Sequence, residues 1–175
     1  MQIILCFIGT INQYSETFHD LTLQLPKRCH HCGCTKIYKW GKYHRFLLDE
    51  NQEHFIPIQR IRCSKCLKTS SFLPDFCLSK IQYSTNFVMT LLKWILIYKK
   101  LYHTYLKTQI YFLKRRFLDQ TNTFIFFLRQ YSKKEFSIIP ERKSIEIFNA
   151  LYSLHKEKKL LSDFFSTTTK HFMAQ

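Results

Sequence analysis

CHHCGCTKIYKWGKYHRFLLDENQEHFIPIQRIRCSKC, residues 29–66, is the stretch whose reading decides the fold. It opens and closes on paired cysteines, Cys29-x2-Cys32 and Cys63-x2-Cys66, with 30 residues between the pairs. Two C-x2-C pairs supply four soft thiolates, the donor set that zinc favours in a tetrahedron. Two intervening residues let the chain bend round the ion as a knuckle. Gly33 follows the first pair, where the bend needs a permissive backbone, and Leu67 takes the equivalent place after the second. Metal-free structural thiols or a redox pair are the competing readings. A thioredoxin-like pair, however, requires a βαβ context that the sequence lacks. Cys34, His30 and His31 crowd the first knuckle. Cys34 in place of Cys32 would break the spacing, and Cys6 and Cys77 read as ordinary thiols. Four protein ligands leave no open position, so the expected role is structural, and metal loss is expected to cost the folding of residues 27–80.

The segment between the pairs alternates. Tyr38, Trp40, Lys42, His44 and Phe46 are assigned to one face of a strand. Ile37, Lys39, Tyr43, Arg45 and Leu47 fall on the other, with Gly41 between. Asp49-Glu50-Asn51-Gln52 reads as a polar turn and His54–Arg62 as the return strand. Pro57 cannot donate to a ladder, which predicts an edge position or a bulge. A long hairpin of this kind brings Cys63 back beside Cys32.

Outward from the hairpin, the apolar run Gln2–Ile8 predicts a short strand. Residues 81–175 contain neither cysteine nor glycine and read as helix. Asn86 is placed as the cap of a helix from Phe87 to about Tyr102, and a second helix runs from about Thr104 to Phe117. Asp119 is the expected cap of a third, Gln120 to Tyr131, and Pro140 opens a fourth; the tail from Lys159 to Phe172 adds a fifth. The expected class is α+β: a zinc-ribbon domain with its N-terminal strand over 1–80, then a basic helical domain over 81–175. Within the latter, the second and third helices suggest a helix-turn-helix, with Gln120, Thr121, Asn122 and Thr123 opening its recognition helix.

Charge points to a polyanion. The chain carries 27 Lys and Arg against 12 Asp and Glu, a net charge of +15. An AT-rich codon bias would explain the lysines but should raise Glu as well. Basic side chains lie among Tyr38, Trp40 and Tyr43, and Lys39, Lys42, Arg45, Arg60 and Arg62 are the candidate phosphate contacts on the hairpin. Trp40 itself is assigned to packing rather than contact. Lys114, Arg115 and Arg116 are the candidates in the helical region. The N-terminus makes a poor signal peptide, so the thiols are expected to stay reduced in a cytoplasmic protein. The most apolar helix, Phe87–Tyr98, is interrupted by Lys93 and too short to span a bilayer, and no membrane partner is expected. The acids are few and scattered, His103 and His155 have no evident partner, and no phosphate-binding glycine loop exists. The chain is therefore read as non-enzymatic.

The strings CHHCG (29–33), KWGKYHR (39–45), IPIQRIRCSKC (56–66) and KTSSFLPDF (68–76) resemble the N-terminal zinc ribbon of bacterial insertion-sequence transposases. They look closest to a group of short Firmicutes proteins that carry that ribbon. The resemblance covers about residues 27–83 and is looser over the helices. It implies a DNA-binding module from a mobile element, and it carries over Cys29, Cys32, Cys63 and Cys66 as zinc ligands. Full transposases of this kind add an RNase H-like core with an acidic triad, which the basic remainder here does not accommodate. The expected function is DNA binding, with a catalytic transposase subunit as a further partner. The alternative is a protein-interaction or RNA-binding accessory module.

Overall fold

The computed structural model describes residues 2–50, 52–102, 106–131, 135–157, 160, 163–164, 168 and 173. Among these residues the fold is α+β, with a four-stranded mixed sheet and five helices. The chain divides into two compact units, residues 1–77 and 78–175.

The first unit holds the sheet. Strand β1 is Gln2–Leu5, helix α1 Ile11–Thr17, β2 Ile37–Asp49, β3 Gln52–Cys63 and β4 Thr69–Pro74, in the sheet order β1-β4-β3-β2. Strands β2 and β3 form the long antiparallel hairpin, closed between the paired Asp49 and Gln52 with Glu50 at φ +49°. β3 pairs with β4 only over Arg60–Arg62, and β4 pairs in parallel with β1. Pro57 therefore lies where β3 has β2 on one side alone, a position that needs no second ladder bond.

The predicted faces of β2 change near its start, at its fourth residue. The register runs Lys39↔Ile61 and then Gly41↔Arg60, so Trp40 is an extra residue in a β-bulge, and Gly41 takes φ +114°. An extra residue shifts the side-chain parity by one. Lys39 thus shares a face with Lys42, while Tyr38, opposite Arg62, shares a face with Tyr43, Arg45 and Leu47.

Helix α1 was not legible as an apolar run, but its cap is written in Thr10-Ile11-Asn12-Gln13. Gln13 N donates to Thr10 Oγ1 at 3.2 Å and Thr10 N donates to Gln13 Oε1 at 2.8 Å, a reciprocal capping box. Its stripe of Ile11, Tyr14 and Phe18 closes over Leu47, Ile56, Ile58, Leu73 and Cys77 to make the core of this unit. The Tyr14 hydroxyl donates to the carbonyl oxygen of Pro57 at 3.0 Å, joining helix to hairpin.

The second unit is helical: α2 Thr85–Leu96, α3 Lys107–Asp119, α4 Thr121–Leu128 and α5 Pro140–Lys156. The cap of α2 is Ser84 rather than Asn86. Its hydroxyl accepts from Phe87 N at 3.0 Å, and Asn86 instead accepts from His155 Nε2 of α5 at 2.7 Å. The helix stops at Leu96, short of Tyr102, and Lys99 beyond it takes φ +57°. Asp119 does not cap α4 but ends α3, four residues after Arg115, which it meets at 4.0 Å. Gln120 alone separates α3 from α4, where a helix-turn-helix has a turn of three or four residues. Pro140 opens α5 as expected. Phe117, Phe124, Phe127, Phe148 and Phe164 form a continuous aromatic core. The fifth helix expected over 159–172 falls mostly outside the described residues. No helix among those described is long and apolar enough to cross a membrane.

Candidate metal centre and hairpin surface

Each cysteine pair sits in a turn that the sheet places. The first knuckle leads into β2, and the second is the connection between β3 and β4. The two turns are backbone copies of each other. Gly33 N donates to Cys29 O at 2.8 Å and Leu67 N to Cys63 O at 3.1 Å. Cys29 N donates to Cys34 O at 2.8 Å and Cys63 N to Lys68 O at 3.1 Å. Gly33 has φ +71° and Leu67 φ +58°, so both knuckles need a left-handed residue at the same step. Glycine takes that conformation freely, whereas a Cβ-bearing residue does so at a cost. Ser64 fastens the second knuckle to the chain just ahead of β2: its N and Oγ both donate to Lys36 O, at 3.0 and 3.1 Å.

The thiols of Cys29, Cys32, Cys63 and Cys66 converge, with all four Sγ atoms within 4.8 Å of one another. Two of the contacts cross between knuckles: Cys29 to Cys66 at 3.7 Å and Cys32 to Cys63 at 3.6 Å. A tetrahedron of sulfurs about 2.3 Å from a central ion has edges of about 3.8 Å. A disulfide would bring the sulfurs to about 2.05 Å. The spacing suits a metal ion, and these four cysteines could hold one. The His31 backbone N–H, pointing at Cys29 Sγ from 3.5 Å, is the main cause that lowers this thiol to about 7, toward the thiolate a metal requires. Cys34 stands outside the cluster, its thiol 3.9 Å from Ser64 Oγ and accepting from Lys36 N at 3.4 Å. His30 and His31 are exposed and are not part of it. Cys6 is exposed, whereas Cys77 is fully buried, and burial pushes its thiol up to about 12.

The knuckle end of the hairpin is basic on both faces. Lys39 and Lys42 are exposed on one. On the other, Tyr38 and Trp40 meet edge to face at 6.1 Å, and the Arg62 guanidinium lies 4.3 Å from the centre of the Trp40 ring. Arg62 Nε also donates to Leu67 O at 3.0 Å, so the same side chain touches the second knuckle and the ring. Arg60 and Arg45 are half-buried on this face. The sequence assigned Trp40 to packing, yet the structure leaves it 46 % exposed. In the helical unit Arg115 is open to solvent, Lys114 half-buried, and Arg116 only 7 % exposed beneath Phe112, its Nε without a partner.

Residues 28–102, which take in both knuckles, the hairpin, β4 and α2, match a family described as a domain of unknown function, DUF6431. Neither the curated proteins nor the solved structures contain a significant match to the chain.

Proposed function

We propose that the chain is a non-catalytic DNA-binding protein related to transposase N-terminal regions, in which a structural zinc ion pins a basic hairpin against its partner strands. The observation that carries this reading is the crossed four-thiol cluster at the base of Tyr38, Trp40, Lys39, Lys42, Arg60 and Arg62. Tetrahedral four-sulfur sites suit zinc or iron, and two knuckles with no open position suit a closed zinc site. The hairpin makes one contact surface, and Arg115 and Lys114 on α3 make a separate one in the helical unit. The net charge of +15 supplies the attraction to phosphate. Iron would appear as a coloured protein; metal analysis is expected to give about one zinc per chain.

Binding to duplex and single-stranded DNA across a salt series tests the reading. Affinity should fall steeply as salt rises, since each neutralised phosphate releases counterions. Affinity absent at low salt, or indifferent to salt, would sink it. Tyr111, Phe112 and Phe126, exposed on α3 and α4, favour a second reading as a protein-interaction module. A stoichiometric partner that co-purifies, with no DNA binding, would select that one.

A further inference from the structure

We infer that Tyr38 and Trp40 form a stacking platform for unpaired bases, so that the hairpin takes a single-stranded segment of DNA. The inference rests on the DNA-binding reading above and narrows its ligand.

Three features support it. First, the bulge turns Trp40 out of the strand register, and bulges commonly re-aim a side chain in this way. Second, the ring is held. Arg62 covers one side of it from 4.3 Å, Tyr38 meets it edge to face, and Arg62 is itself tethered to the Leu67 carbonyl. A ring already fixed in place loses little freedom when a base stacks on it. Third, Trp40 stays 46 % exposed and Tyr38 39 % exposed in a setting with no acid between Lys27 and Leu48. At Gly41, on the outer strand of the sheet, a Cβ would meet nothing within 4 Å apart from its chain neighbours, so no other part of the unit packs over the strand at that point. Arginine beside the rings supplies phosphate contact. In a duplex the bases are stacked on one another and offer no face to a tryptophan. Only an unpaired base uses the aromatic surface, and basic grooves with stacking aromatics are how single strands are held.

The test compares the full-length, metal-loaded protein with Trp40→Ala, Trp40→Phe and Tyr38→Ala. The ligands are an oligothymidylate and a duplex of the same length at one fixed salt concentration. Metal content is checked for each variant. The platform predicts tighter binding of the single strand. Trp40→Ala should weaken it by roughly 5- to 150-fold, the loss of one base–aromatic stack, and leave the duplex affinity and the salt slope unchanged. Trp40→Phe should recover most of the loss. If Trp40→Ala loses its metal, Tyr38→Ala serves as the measurement, with the same selective direction expected. Preference for duplex, or equal effects on both ligands, overturns the platform while leaving DNA binding intact. Binding to neither ligand overturns both.

Discussion

Gly33→Ala isolates the backbone contribution to the first knuckle. Gly33 holds φ +71°, and a Cβ built there meets no atom within 4 Å apart from its chain neighbours. Collision with the rest of the fold therefore contributes nothing, and the cost is the local one of a Cβ against its own backbone. Placing an alanine in the left-handed region costs about 1–2 kcal/mol. Alanine also narrows the unfolded ensemble, which offsets about 0.4–1 kcal/mol. The net is about 1 kcal/mol against the metal-bound turn, or about fivefold in metal affinity. Competition with a chromophoric chelator at fixed pH reads this directly. The second knuckle provides the control. Leu67 already bears the left-handed cost at φ +58°, so Leu67→Gly relieves it. That gain is offset by the freer unfolded chain and by lost contacts of a side chain 55 % exposed. Leu67→Gly should leave affinity within about threefold. Unchanged affinity in Gly33→Ala would mean that the bound knuckle does not use the left-handed turn. A loss beyond about a hundredfold would mean that the Cβ meets something, against the open space described.

The cysteine spacing alone suggests that metal loss unfolds residues 27–80, but the core of Leu47, Ile56 and Ile58 with α1 includes no metal ligand, so Cys63→Ser should abolish stoichiometric metal binding and loosen the knuckle end while amide exchange stays slow at those three residues; loss of protection throughout residues 27–77 would instead make the metal the keystone of the whole unit. Tyr14→Phe removes the donor to the buried Pro57 carbonyl and should lower the stability of the first unit by about 1–3 kcal/mol in denaturant melts; a change under about 0.3 kcal/mol would show the bond to be immaterial. The Cys77 thiol is raised from its ordinary value near 9 to about 12 by burial, so the unfolded chain ionises first as pH climbs. Its contribution is intact below pH 9 and is lost between about 9 and 12; Cys77→Ala should flatten that alkaline decline, and native Cys77 should resist alkylation at pH 8.

Much of this arrangement was legible in the chain. Two C-x2-C pairs can do little else than bring four sulfurs together once the segment between them turns back on itself. The alternation of residues 37–62 states that it does so. Absence of glycine and cysteine after residue 80, with apolar residues at helical spacing, gave the second half as helices. These are local properties, carried by spacing and by backbone preference. Helix α1 was not anticipated: its local signal is the capping box of Thr10 and Gln13, followed by an apolar stripe too short to stand out by spacing.

Tertiary structure decided what depends on residues meeting from afar. Parallel pairing of β1 with β4 joins residues 2–5 to 71–74, which no local pattern encodes. Whether Ser84 or Asn86 caps α2 turned on Asn86 having a partner in His155 of α5. Arg116 belongs to a basic run that reads as exposed, yet the packing of α3 places it inside. Most consequential is the bulge at Trp40. The sequence contains the residue and even the glycine that permits it, but alternation counted along one strand has no knowledge of its partner's register. Pairing with β3 inserts one unmatched residue, reverses the faces beyond it, and brings Trp40 out under Arg62 beside the knuckle that the cysteines had already specified.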